Sequence, residues 1–252
     1  MLKIRVMPTL LYKNMTLVKG VAFDSWRRVG SAMQAIKVYN MREVDELVFL
    51  DIAATAEGRR PDFRLIDDLA DECFMPLTVG GGVRDVDDVR QLLMVGADKA
   101  AINSAAIERP DVISEVASRF GSQCVVVSID ARRTAGGSYE VFTHSGSRPT
   151  GKDPVDVARQ AESLGAGEIL LTSIDRDGTR KGYDVEMTRR VTAAVSIPVI
   201  ASGGAGHAGH MVEVLEQGQA SAVAAASIFH FTEQTPSAIK RALHEHGLKV
   251  RL

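Results

Sequence analysis

The chain has 252 residues, 45% hydrophobic and 25% charged, with a formal net charge of −2. That near-neutral balance carries no electrostatic footprint for nucleic acid or an anionic membrane, and no apolar run reaches the roughly 18 residues needed to span a bilayer. Cys73 and Cys124 sit singly in the apolar contexts DECFM and GSQCVVVSID, which reads as two buried thiols in a reducing cytoplasm rather than a disulfide or a metal pair.

The N-terminal run MLKIRVMPTLL lacks a cleavable signal pattern and reads as a strand, with IRVMPTLL as its core. Residues 13–31, with Gly20 and Gly30, read as a loop long enough to be a lid. ELVFLDI, PLTVGG and KAAIN are strand candidates, and DVDDVRQLLMVG after the second of them has Asp at its start and Gly past its end, as a helix does. CVVVSID, the helical DPVDVARQAESLG, EILLTSI, PVIASGG and SAVAAAS complete the series. The strand runs are rich in Val, Ile and Leu without polar alternation, the signature of strands buried on both faces of a parallel sheet. Eight such strands, each followed by a helix, match a (β/α)8 barrel, although alternation alone also fits an open, doubly wound sheet.

An internal repeat favours closure. DELVFLDI is echoed by GEILLTSI, PLTVGGGVRD by PVIASGGAGH, and GADKAAINSAAI by GQASAVAAASIF; 122 residues separate Glu46 from Glu168, Pro76 from Pro198 and Gly96 from Gly218. Two copies of a four-strand unit, residues 1–122 and 123–252, are expected to form one α/β barrel domain with near two-fold symmetry.

The repeat carries chemistry. One strand of each half ends in glycines, Gly80 to Gly82 and then Gly203 and Gly204; the next ends in a small polar step, Asn103–Ser104 and then Ala226–Ser227. Glycines let a backbone approach an anion with its N–H groups bare, and small hydroxyls complete the cradle. Two cradles across one barrel mouth call for a ligand with two phosphates, although Gly-Gly can also serve only as a tight turn. Asp51, Asp130, Asp175 and Asp177 fall at or just after strand ends, where a barrel places catalytic or ligand-positioning carboxylates, and Lys19 is placed to reach a phosphate. No metal or cofactor is expected.

The segments DELVFLDI, TVGGGVRD, FGSQCVVVSIDARR, GAGEILLTSIDRDGTRKGYD and SIFHF are together highly specific. The chain closely resembles the cyclase subunit of imidazole glycerol phosphate synthase over essentially its full length. The resemblance implies a heterodimer with a glutaminase subunit. Ammonia would pass through the barrel to a bisphosphate ribulosyl nucleotide at the C-terminal face. By position it makes Arg5, Glu46, Lys99 and Glu168 an ammonia gate at the barrel base, Asp98 a glutaminase contact, and Asp130 one catalytic aspartate. It places phosphate contacts at Gly81, Gly82, Asn103, Ser104, Gly203, Gly204, Ala226 and Ser227, and substrate contacts at Lys19, Asp51, Ser145, Thr172 and Asp177.

The family's second catalytic aspartate is missing. Strand one ends Thr9, Leu10, Leu11, Tyr12, Lys13, Asn14, Met15, with Leu11 in the acid's place. Leucine neither takes nor gives a proton, and losing one member of an acid–base pair costs roughly 10²–10⁴ in rate. VGSAMQAIKVYNMREVDEL and ECFMPLTVGGG are similar to diverged second copies of this subunit found with surface-polysaccharide genes. There a glutaminase partner and a third, amidotransferase protein are implicated in turning an acetamido sugar into an acetamidino one. Lys19-Gly20 keeps the cyclase-like pattern. A histidine-pathway cyclase, a non-catalytic ammonia channel and a barrel isomerase remain as alternatives.

Overall fold

The computed structural model describes residues 3–42 and 44–252; Met1 and Leu2, at the head of the first strand run, and Glu43 lie outside them. The first half runs β1 (Arg5–Lys13), β2 (Thr16–Val21), β3 (Asp24–Gly30), α1 (Ala32–Met41), β4 (Leu47–Asp51), α2 (Phe63–Ala70) and β5 (Leu77–Gly80). It continues through α3 (Val86–Met94), β6 (Lys99–Ile102), α4 (Ser104–Glu108) and α5 (Asp111–Phe120). The second half begins β7 (Val125–Arg133), β8 (Tyr139–Thr143), β9 (Arg148–Pro149), α6 (Pro154–Ser163), β10 (Glu168–Ser173) and α7 (Val185–Thr192). It ends with β11 (Val199–Ser202), α8 (Ala208–Glu216), β12 (Ala222–Ala225), α9 (Ser227–Phe231) and α10 (Pro236–Glu245).

Eight strands close a parallel barrel in the order β1, β4, β5, β6, β7, β10, β11, β12, with β12 returning to β1. They coincide with the eight apolar runs. A strand buried under helices outside and side chains inside cannot alternate with polar residues, and β5 and β12 are buried at every position. The lumen is filled by Met7, Val48, Ala101, Val126, Leu170, Ile200, Ala222 and Ala224, and a larger apolar shell lies between strands and helices. The helices start where their caps dictate. Asp85 accepts from Asp88 N–H at α3, and Asp153 from Val155 N–H at α6, where Pro154 occupies the first turn.

The two halves repeat in detail. Asp62 and Asp184, 122 residues apart, cap α2 and α7 with φ −82° in both and ψ 87° and 88°; each accepts from the N–H three residues on, Leu65 and Met187. Each half also carries an antiparallel arm after its first strand, β2–β3 after β1 and β8–β9 after β7.

The arm formed by β2 and β3 corrects the reading of residues 13–31 as a loop. It turns through Asn14–Met15 (φ 50° and 60°) and Ala22–Phe23 (φ 50° and 62°), and its register shifts between Leu17 and Val18 and again between Lys19 and Val21. Cys73 and Cys124 are free and half-buried rather than fully buried; desolvation pushes both thiols above their ordinary range. No helix among the described residues is long and apolar enough to cross a membrane.

Candidate active site

A pocket opens at the C-terminal ends of the barrel strands. Leu11, Leu50 and Asp51 line one side, and Asp130, Thr172 and Asp177 the other. The two sides are related by the repeat: Leu11 pairs with Leu50 across β1 and β4, Asp130 pairs with Thr172 across β7 and β10, and Leu50 and Thr172 are 122 residues apart. Leu11 therefore occupies the symmetry-related place of Asp130. One wall of the mouth presents Asp130 and Asp177; at the symmetry-related position the opposite wall presents the hydrocarbon of Leu11 beside Leu50, with Asp51 next to them.

Asp130 accepts from Asn103 Nδ2 at 3.3 Å. Desolvation, and then the nearby Asp177 charge, lift its carboxyl to about 7 against the pull of hydrogen bonds with Thr172 and Ser128. A carboxyl that titrates near neutrality is suited to giving and taking protons. Because its folded pKa lies above its unfolded value, the protonated form is favoured in the fold: Asp130 is tolerated at low pH and becomes destabilising as pH rises toward 7 and beyond. Asp130→Asn should accordingly raise stability at pH 8 by on the order of 3 kcal/mol. The gain should fade as pH falls from 7 to 4, a dependence that thermal melts across that range will read directly.

Lys19, read as a loop residue, is on β2 with its ammonium buried in the pocket wall, 2.5 Å from Asp177 Oδ2. The Asp177 carbonyl in turn accepts from Ala22 N–H at 2.8 Å, so the arm is pinned over the mouth and brings Phe23 and Trp26 into the lining. The sequence reading did not single out these two aromatics. Nor did it single out His230, which is kept neutral: desolvation, and then the Lys19 charge, lower it to about 4.

The two glycine steps share a geometry. Gly81 and Gly82 have φ of 104° and 75°, and Gly203 and Gly204 have 90° and 112°, values that side-chain-bearing residues rarely adopt. A Cβ on Gly81 would meet Asp51 O at 2.2 Å, and one on Gly204 would meet Gly182 O at 2.1 Å. Asn103 and Ala226, which start α4 and α9, also match, at φ −107°, ψ −86° and φ −124°, ψ −64°. All of these but Gly82, whose N–H donates to Thr55 Oγ1 at 3.3 Å, line the pocket, together with Ser104 and Ser227.

The cradles differ in occupancy by the protein itself. Ser104 Oγ donates to Asn103 Oδ1 and accepts from His144 N–H. Among the described residues, the buried side-chain oxygens without a partner are Ser227 Oγ and Thr9 Oγ1, and both face this pocket. An unmade hydrogen bond at a buried hydroxyl costs about 1–3 kcal/mol, so two such groups in one cavity point to a polar ligand.

Of the remaining sequence candidates, Ser145 lines the pocket and donates to Ile52 O at 2.6 Å. Asp51 lines it too, yet its carboxylate is largely engaged by Ala53 and Ala54 N–H and by Arg59. Asp175 is turned away from the mouth, where Arg132 and the Arg133 N–H hold it.

At the opposite end of the barrel, Arg5, Glu46, Lys99 and Glu168 form a closed ring. Arg5 pairs with Glu46 at 2.7 Å and Glu168 at 3.0 Å, and Lys99 with the same two acids at 2.9 and 3.2 Å. Thr78 Oγ1 donates to Glu46 at 2.7 Å. The ring is neutral as a unit, which is how buried charges are tolerated. Asp98 lies on the same face, exposed, with its carboxylate accepting from Leu77 N–H at 2.8 Å.

The ionisable pocket lies at the strand C-termini of a closed parallel barrel, where barrel enzymes place their active sites. The family model described as histidine biosynthesis protein matches residues 5–235, and the chain belongs to that family.

Proposed function

We propose that the chain is the ammonia-using, cyclase-type member of this family, taking ammonia from a glutaminase docked on the barrel base and delivering it to a phosphorylated acceptor at the mouth. The observation that carries this reading is the closed ring of Arg5, Glu46, Lys99 and Glu168, four charges drawn together at the foot of a lumen lined with small and branched apolar side chains. An isomerase has no need of a charged plug at that end. Leu11 opposite Asp130 argues for a reassigned acceptor: a sugar precursor of a surface polysaccharide whose acetamido group becomes acetamidino with the help of a third protein, with imidazole glycerol phosphate cyclase activity only weak.

The base offers a docking face. Met41 and Met94, the last residues of α1 and α3, and Phe74, in the turn after α2, are 78%, 74% and 85% exposed where the chain leads into the barrel strands at that end. Asn40, on α1, ties the end of that helix to the turn after α2, donating to Glu72 O and accepting from Phe74 N–H. Co-purification with the cognate glutaminase should yield a one-to-one complex. Phe74→Asp and Asp98→Lys should each weaken it by roughly tenfold or more, as expected for central interface positions; unchanged binding by both variants would remove the base as the docking face.

Phosphate should occupy the mouth. Millimolar inorganic phosphate should raise the melting temperature by mass action. Ser227→Ala should weaken that response several-fold while leaving the ligand-free protein as stable or more so, since an unpaired hydroxyl is removed. Ser104→Ala should instead lower the ligand-free melting temperature, because its hydroxyl holds His144 N–H.

A further inference from the structure

A second concavity lies outside the pocket, between β2, the end of β3, α1 and α9. It is a cleft of about 260 Å³ with Leu17, Val29, Val38 and Phe229 among its apolar walls and Ser31, Gln34, Tyr39, Arg42 and His230 as its polar groups, of which Arg42 carries a fixed charge. The Tyr39 ring is buried while its hydroxyl stays open to the cleft with no hydrogen-bond partner among the described residues; the Arg42 guanidinium, close enough to act on Tyr39 electrostatically, has no ion pair among them either. Arg59, Arg60, Arg109 and Arg133 each hold a carboxylate; what sets Arg42 apart from the other arginines without an ion pair is its place in a cleft beside a phenol. An unpaired cation beside an unpaired phenol, at the rim of an apolar slot, is complementary to a molecule with one anionic end and a hydrocarbon body.

We propose that this cleft is a second binding site, for a small organic carboxylate with an aromatic or branched apolar body, held by Arg42 and Tyr39 at its charged end and by Leu17, Val29, Val38 and Phe229 along its length. Its walls belong to elements that also build the main pocket. β2 carries Leu17 into the cleft and Lys19 into the pocket, and α9 carries Phe229 into the cleft and Ser227 into the pocket. An occupant thus bears on the arm pinned over the mouth and on the helix that starts at the second glycine cradle, which makes the site regulatory in character.

The test is a titration of the full chain, methyl-labelled at Leu and Val, with phenylacetate, 3-phenylpropanoate and 4-methylpentanoate. The expected result is saturable shifts at Leu17, Val29 and Val38 for at least one of the three, persisting in saturating inorganic phosphate with an affinity that the phosphate changes. Arg42→Met should weaken that binding about tenfold or more, and Tyr39→Phe several-fold, with melting temperatures close to the parent's. Three outcomes overturn the proposal. One is that none of the three probes shifts those methyls. Another is that the shifts centre on Leu11 and Leu50 and vanish with phosphate, which places the probe in the main pocket. The third is that Arg42→Met binds as well as the parent.

Discussion

Leu11→Asp should raise ammonia-dependent cyclase turnover by roughly 10²–10⁴-fold. Ring closure after ammonia adds to the ribulosyl carbonyl needs protons to move on and off different atoms in sequence. Asp130, titrating near 7, serves one wall of the pocket. The symmetry-related position on the other wall is Leu11, packed beside Leu50, so proton transfer there waits on a poorly oriented water. The substitution puts a carboxylate where the repeat calls for one, on a rigid barrel strand rather than a loop. Single-turnover and steady-state rates with saturating ammonia, parent against variant, decide it. A parent enzyme already working at about 1 s⁻¹ or faster, a typical enzyme rate, would show that the second acid is not limiting and that the chain is an ordinary histidine-pathway cyclase. A variant with no gain would move the ammonia acceptor away from this nucleotide altogether.

The largest effect on stability should come from Lys19→Met. Lys19 and Asp177 are a buried pair at 2.5 Å, and removing one member leaves the other's charge uncompensated, at a cost of about 3–5 kcal/mol. For a domain of this size that corresponds to a fall in melting temperature of roughly 6–20 °C. Pairing the change with Asp177→Leu should recover most of the loss, since replacing both partners leaves no stranded charge. His230 supplies an independent reading. The Lys19 cation helps hold its imidazole near 4, so removing that cation should move its titration upward, visible by NMR. A drop in stability without that movement would mean that the variant has repacked rather than lost a charge.

The barrel was legible because its strands obey one physical rule: buried on both faces, they read as unbroken apolar runs, and the 122-residue echo fixed the closure. The helix starts were equally plain where an aspartate caps them, at Asp85 and Asp153. The arm after β1 was not legible, for two reasons. Its turns place Met15, Ala22 and Phe23 at positive φ without a glycine to announce them, and its register shifts break the two-residue alternation that marks a half-buried strand. With the arm misread, Phe23 and Trp26 could not be assigned to the pocket and Lys19 could not be seen as buried. His230 escaped for a related reason: its environment is made by Lys19, more than 200 residues away in sequence. Position after the strand did not by itself tell Asp175 from Asp177, because two residues of loop decide which one faces the mouth; the family resemblance singled out Asp177, which lines the pocket.

The near two-fold repeat has a consequence for how a ligand can sit. Two glycine cradles on opposite sides of a symmetric mouth would accept a two-ended phosphate ester in either direction, and half of all encounters would present the wrong carbon to the base. Asp130, Lys19 and Asp177 on one wall and Leu11 and Leu50 on the other break that degeneracy. So does the difference between Ser104, already bonded to His144, and Ser227, still free. Handedness of entry is thus written into side chains laid over a backbone that does not distinguish the two directions. A ligand whose ends or body are asymmetric should therefore be held in a single orientation.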